Sequence, residues 1–249
     1  MRDEKLPLRQ HLLELRKRLT WSVMAIVICT GTAFAFHEQI LTLLMEPAQG
    51  FASIPNEKPV YTDLTEFIGA AMKASLLVGL FASLPIVLYQ VVMFAAPGLK
   101  PKERRYLYLL LPVSLLAFAG GATFGYRILF PPAVGFLLSF GNDVATPYIR
   151  IGSYVGLMIS LLFWMGIVFE TPVVLFFLSK IGVVTPQFLA RHRRLAIVIA
   201  FILGALITPT FDPVNQSFVA IPIIVLYEVG IWLAKLGNRG KKRASPEIS

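Results

Sequence analysis

Six stretches of the chain are apolar over most of their length, and short polar segments separate them. They run over residues 19–36, 74–96, 106–129, 154–178, 195–208 and 218–236. A helix needs ~20 apolar residues to cross a hydrocarbon core of ~30 Å. The pattern therefore predicts six transmembrane helices. The runs do not alternate apolar and polar positions with a period of two, which argues against a membrane β-barrel. The fifth run is short: at ~1.5 Å per residue it reaches only ~21 Å. Such a span either thins the bilayer locally or is buried among its neighbours.

Four of the runs contain a proline: Pro85, Pro112, Pro172 and Pro222. Proline removes a helix hydrogen bond and bends the helix. Neighbouring helices must then satisfy the freed carbonyls. The expected fold is an all-α integral membrane protein, a single domain of bent helices forming a cupped bundle. Proline is also common in membrane helices generally, so the bends alone assign no function.

Composition sharpens this. Hydrophobic residues make up 56% of the chain without counting glycine, and the mean hydropathy is +0.71. Soluble chains reach about 45–50% with glycine included. The net charge of +9 raises nucleic acid as a partner, but the charge distribution follows membrane topology instead. Of the 23 Lys and Arg, 19 fall within residues 1–18, 95–105, 180–194 and 235–249. The other four are Lys58, Lys73, Arg127 and Arg150. The positive-inside rule then places both termini in the cytoplasm. The outer side carries loops at about 37–68 and 130–153 and a tight turn at 209–216. Residues 237–249 read as a basic cytoplasmic tail without ordered structure. The single cysteine, Cys29, excludes an internal disulfide or a cysteine metal site. The polar first residues carry no cleavable signal-peptide pattern.

Candidate chemistry is sparse. Leu8, Leu12, Leu15 and Leu19 form one apolar stripe at helical spacing ahead of the first span. That segment is basic on its other faces and is expected to lie on the membrane surface. Its acid, Glu14, is either an i,i+4 partner of Arg18, worth ~0.2–0.5 kcal/mol, or a carboxylate offered to a cationic partner. In the first inner loop, Pro97-Gly98 and Pro101 force a turn. Glu103 there either pairs with Lys102, Arg104 or Arg105, or stands as a second carboxylate at the same face as Glu14. Two carboxylates can accept two guanidinium groups through bidentate hydrogen bonds.

Glu170 lies deep in the fourth run. An ionisable residue inside a span is costly and marks a functional site by default. The plainer alternative is a protonated carboxyl bonded to a carbonyl loosened by Pro172. Glu228 in the sixth run approaches the inner interface, and its role stays open. Asp212 sits in the outer turn, where aspartate commonly caps or turns the backbone. No HExxH, GxSxG, P-loop or paired intramembrane aspartates occur, and His11, His37 and His192 lie outside the spans. Neither an enzyme nor a cofactor is expected.

Five phrases, in order over nearly the whole chain, together resemble the TatC family. They are HLLELRKRL (11–19), TDLTEFIGAAMKAS (62–75), LPIVLYQVVMFAAPGLKPKERR (84–105), FETPV (169–173) and ITPTFDPVNQSF (207–218). The resemblance implies the receptor of a translocase that carries folded proteins across a membrane, driven by the proton-motive force. It implies recognition of signal peptides with two adjacent arginines by Glu14 and Glu103, with Arg16 and Phe94 beside them. Glu170 matches the glutamate within the fourth helix. Pro47 and Asp212 match outer-face functional positions. Thr208 and Gln216 match positions that dock partner subunits. The implied partners are the single-span subunits TatA and TatB, twin-arginine signal peptides of folded cargo, and further copies of the chain. The implied location is the bacterial inner (cytoplasmic) membrane or the thylakoid membrane. The outer turn reads TPTFDP where the family often has Pro-Asp sooner, a departure that bears on Asp212. The competing reading is a small-solute secondary transporter, with a mid-membrane site on broken helices in two related halves. The inner loops PGLKPKERR and TPQFLARHRR share a faint pattern, but the spans around them do not repeat.

Overall fold

The computed structural model of the chain describes residues 8–47, 59–98, 101–140, 144, 148–208 and 212–242. Among these, the regular structure is helical, apart from an isolated bridge between Val60 and Arg150.

Helix α1 spans Leu8–Phe34 without a break. No glycine or proline interrupts residues 8–30, so nothing stops the helix where the polar segment meets the apolar run. This corrects the expectation of a separate surface helix: the leucine stripe forms the first turns of the spanning helix itself. At 27 residues α1 is about 40 Å long, enough to cross the bilayer and project beyond it. The chain then bends by 80° into α2 (His37–Met45). Leu41 and Leu44 bury one face of α2, so the first outer segment begins as a helix rather than a loop.

Helix α3 (Glu66–Ala95) starts eight residues before the apolar run at Ala74. A 3-10 turn, Ala96–Gly98, closes it. Helix α4 (Pro101–Phe124) passes through a π-helical turn, Gly125–Leu129, into α5 (Phe130–Ser139). The third span therefore runs about ten residues beyond the end of its apolar run. The π turn turns Tyr126 toward α2, where its hydroxyl donates to the Leu43 carbonyl at 2.6 Å and to Glu46 at 3.2 Å. Helices α6 (Ile151–Phe169) and α7 (Thr171–Ile181) form the fourth span, with Glu170 at the junction. Gly182, at φ 87°, ends α7 in the left-handed conformation that glycine adopts without strain. Short α8 (Pro186–Arg191) leads into α9 (Arg193–Ile207) and α10 (Pro213–Lys242). Helix α10 thus runs six residues into the tail expected from 237; residues 243–249 lie outside the described residues.

Among the described residues, four helical stretches are long and apolar enough to cross a membrane: Glu66–Ala95, Arg104–Ser139, Ile151–Ile181 and Pro213–Gly237. The α1–α2 pair meets the same test when taken together. Helix α9 has only 15 residues, as the arithmetic on the fifth run requires.

Helix α6 is the centre of the bundle. Tyr154, Val155, Met158, Leu161 and Met165 are almost wholly buried. Apolar side chains gain little from burial against one another rather than against lipid, so close backbone approach at small residues drives packing. Gly79 of α3 lies so close to Thr30 of α1 that a Cβ would strike its backbone, and Gly121 of α4 stands likewise against the Met165 carbonyl of α6. Val27, Ile28, Leu116, Leu206 and Trp232 remain exposed, on the surface that faces lipid.

Candidate functional site

At the inner end of the bundle, Glu14 projects from α1 toward α3. Its carboxylate accepts two hydrogen bonds from Arg18, at 2.7 and 3.1 Å. Arg18 also donates to the Gln90 side chain of α3 at 3.1 Å. The i,i+4 pair foreseen in the sequence is thus present, and it is tied to a second helix. A groove of about 500 Å³ opens here, lined by Leu13, Glu14, Lys17, Arg18, Trp21, Tyr89 and Gln90. Phe94 is half-buried one turn beyond Gln90, on the same side of α3. Arg16 is exposed. It stands two residues from Glu14, about 200° around the helix, and does not line the groove. A cation entering the groove must compete with Arg18 for Glu14.

Glu103 falls in the first turn of α4, and its side chain lies outside the described residues. Its helix is fastened close to Phe94. Val92 and Ala96 of the α3 end pack with Leu107 of α4 in one buried cluster, and the Tyr108 hydroxyl meets the Met93 sulfur at 3.3 Å. The ends of α3 and α4 therefore form one inner-face unit, with Glu14 at its edge.

Glu170 is half-buried, midway along the fourth span. Pro172 has no N–H to donate, and the helix breaks here into α6 and α7. One carboxyl oxygen, Oε1, is buried without a hydrogen-bond partner. Ser114 of α4 stands beside the carboxyl. Phe169 and Phe124 approach to 5.4 Å beside it. Ser114 escaped the sequence reading; its only signal was a hydroxyl two residues after Pro112 in an apolar run.

At the outer end, Thr208 is buried and donates to the Gly204 carbonyl at 2.8 Å. Across the turn, the half-buried Gln216 brings its own carbonyl so close to Gly204 that a Cβ there would crowd it. Asp212 caps α10: its Oδ1 accepts the Asn215 N–H at 2.7 Å, with Pro213 as the first helical residue. Thr208 also edges an open groove of about 810 Å³ between α5, α6 and the end of α9. Pro47 closes the turn after α2, next to Glu46.

The sequence also missed an outer-face ion cluster. Arg150 donates to Asp63 at 2.6 Å and to Glu66 at 3.0 Å. The two carboxylates raise the Arg150 pKa above its ordinary value, Glu66 contributing most. The available signal was that Arg150 is one of only four basic residues on that side. Glu228, whose role the sequence leaves open, accepts two hydrogen bonds from Arg193, at 2.6 and 2.9 Å, at the inner end of α9. Among the described residues, no cluster of His, Cys, Asp or Glu could hold a metal ion.

A family model described as Sec-independent protein translocase protein (TatC) matches residues 10–222. The chain is 41% identical over 239 residues to the Sec-independent protein translocase protein TatC of Aquifex aeolicus, covering 95% of this chain and 98% of that one. It is 37% identical over 235 residues to the TatC of Carboxydothermus hydrogenoformans, covering 94% and 95%. The crystal structure of a twin arginine translocase receptor TatC superposes with a TM-score of 0.81 at 41% identity, over 92% of this chain and 100% of that one.

Proposed function

The chain belongs to the TatC family, and from that premise we propose that it is the signal-peptide receptor and core subunit of a twin-arginine translocase. It is a multi-pass membrane protein and a component of the Sec-independent translocase. Family membership displaces the solute-transporter reading. The proposed activity moves folded proteins across the bacterial inner membrane or the thylakoid membrane, driven by the proton-motive force. Both termini face the cytoplasm.

One observation carries the recognition step: Glu14 borders a groove against α3, one turn from Phe94, beside the helix that bears Glu103. In the proposed mechanism one guanidinium of the signal peptide displaces Arg18 from Glu14. Arg18 keeps its bond to the Gln90 amide, so the displaced guanidinium retains one hydrogen-bond acceptor. The second guanidinium takes Glu103. A planar guanidinium binds a carboxylate through two parallel hydrogen bonds, and two such pairs distinguish adjacent arginines from a single one. Phe94 offers the ring on which a guanidinium or an apolar residue can rest. Arg16, exposed on another face of α1, contacts the signal peptide outside its two arginines.

Deeper in the bilayer, Glu170 supplies a polar contact for the single helix of a TatA or TatB subunit, and Thr208 and Gln216 supply another near the outer turn. Pro47 and Asp212 hold the outer ends of α2 and α10 in shape for assembly with further copies of the chain. The test is binding of a twin-arginine signal peptide to the purified chain. Glu103→Gln and Glu14→Gln should each weaken binding at least about tenfold, the scale of a lost charge-assisted hydrogen bond. Arg18→Gln, which removes the competitor together with its bond to Gln90, should bind as well as the native chain or better. Loss in Arg18→Gln with none in Glu103→Gln would refute the two-carboxylate site.

A further inference from the structure

A single ammonium joins three helices at the inner end of the bundle. Lys180, near the end of α7, holds Nζ 4.9 Å from the ring centroid of Tyr106 on α4. The same Nζ donates to the Gly237 carbonyl of α10 at 3.0 Å. A Cβ at position 237 would crowd Phe176 and approach the Lys180 stem. Glycine there leaves the opening through which the lysine reaches the backbone. One turn earlier on α7, Phe177 packs on the cluster that joins the end of α3 to α4. Lys180 thus adds a polar contact to the start of α4, beside the apolar cluster that holds Leu107.

Tyr106 stands one turn after Glu103 on α4. Whatever fixes the Tyr106 ring fixes the turn that carries Glu103. Bidentate guanidinium recognition depends on the position and plane of the carboxylate, so the start of α4 needs such an anchor. We infer that Lys180 is a positioning residue for the inner-face acceptor: held between Tyr106 and the Gly237 carbonyl, it sets where α4 presents Glu103. This rests on the reading of Glu103 given above.

The sign of the effect separates positioning from charge. A lysine acting only through its charge would repel two guanidinium groups, and its removal would tighten peptide binding. A positioning lysine gives the opposite result. Arginine can also stack on a tyrosine ring and donate to a carbonyl, whereas methionine keeps a stem of similar length without charge or donor.

The experiment measures binding of a twin-arginine signal peptide to the full chain in detergent. In parallel, spin labels at Leu109→Cys and Lys235→Cys, with Cys29→Ser, report the distance between α4 and α10. Lys180→Met should weaken binding about fivefold and broaden that distance distribution, on the scale of a lost cation–π contact. Lys180→Arg should stay within about twofold and keep the distribution narrow. Tyr106→Leu should match Lys180→Met, and the double variant should be no weaker than either single one, as residues of one contact are not additive. Tyr106→Leu carries the same test should Lys180→Met fail to accumulate. Native or tighter binding in Lys180→Met, or an unchanged distance distribution, overturns the inference. Glu103→Gln binding the peptide like the native chain would instead overturn the reading of Glu103, which the label distances do not report.

Discussion

Arg150, the last residue before α6, is bonded through its guanidinium to Glu66, the first residue of α3, 84 positions away in the chain. Glu66 also accepts the N–H of Gly152 at 3.0 Å, in the first turn of α6. It further accepts the N–H of Thr62 at 3.0 Å. Beside it, Ile151 donates to the Val60 carbonyl at 2.7 Å, and Val60 donates to the Ile149 carbonyl at 3.0 Å. A carboxylate at a helix N-terminus is favoured by the free N–H groups and the helix dipole. The outer ends of the second and fourth spans are thereby clamped together.

Glu66→Ala should loosen this clamp more than Asp63→Ala, because Glu66 holds both the guanidinium and the backbone. The expected result is faster hydrogen exchange at the amides of residues 151–153 in Glu66→Ala, by roughly tenfold, with little change in Asp63→Ala. Equal exchange in the two variants would show that the backbone contacts do not matter.

Glu170 should act on partners rather than on peptide recognition, because it lies at a different depth from Glu14. Glu170→Gln keeps a hydrogen-bonding group and should retain most partner crosslinks to positions near 170. Glu170→Ala should lose them by roughly 3- to 30-fold, on the scale of a hydrogen bond in lipid, ~0.6–2 kcal/mol. Equal loss of peptide binding, crosslinks and protein level in Glu170→Ala would leave the residue structural.

Gly79 has no room for a side chain against Thr30. Gly79→Val should push α1 from α3 and destabilise the chain by ~1–3 kcal/mol, the usual cost of overpacking. Gly31→Ala, on α1 with open space around its Cβ position, is the control and should not destabilise. Thermal unfolding of the two variants in detergent checks this; equal midpoints would mean that the α1–α3 contact is loose.

The topology is testable by reporter fusions. Fusions at residues 5, 100, 187 and 245 should report the cytoplasm, and those at 55 and 145 the opposite side, following the 19-to-4 division of basic residues. A fusion at 245 on the outer side would remove the even-span arrangement.

The sequence by itself determined the runs that must sit in lipid, the shortness of α9 and the family. Transfer of an apolar run into a bilayer depends on composition over one segment, so it can be read locally. It also marked Glu14 with Arg18 and placed Asp212 at a cap, because both contacts lie within four residues. Helix ends were beyond its reach. Helix α3 begins at Glu66 and α5 ends at Ser139, since backbone hydrogen bonding continues past the apolar stretch where neighbouring helices and capping side chains support it. Only the tertiary structure decided which distant residues meet: Arg150 with Glu66, Arg193 with Glu228, Lys180 with Tyr106 and Gly237, and Ser114 with Glu170. Each pairing follows from how far one helix can slide along another. That register is set by close approaches such as Gly79 on Thr30 and Gly121 on Met165, because lipid solvates the remaining apolar side chains equally well in any register.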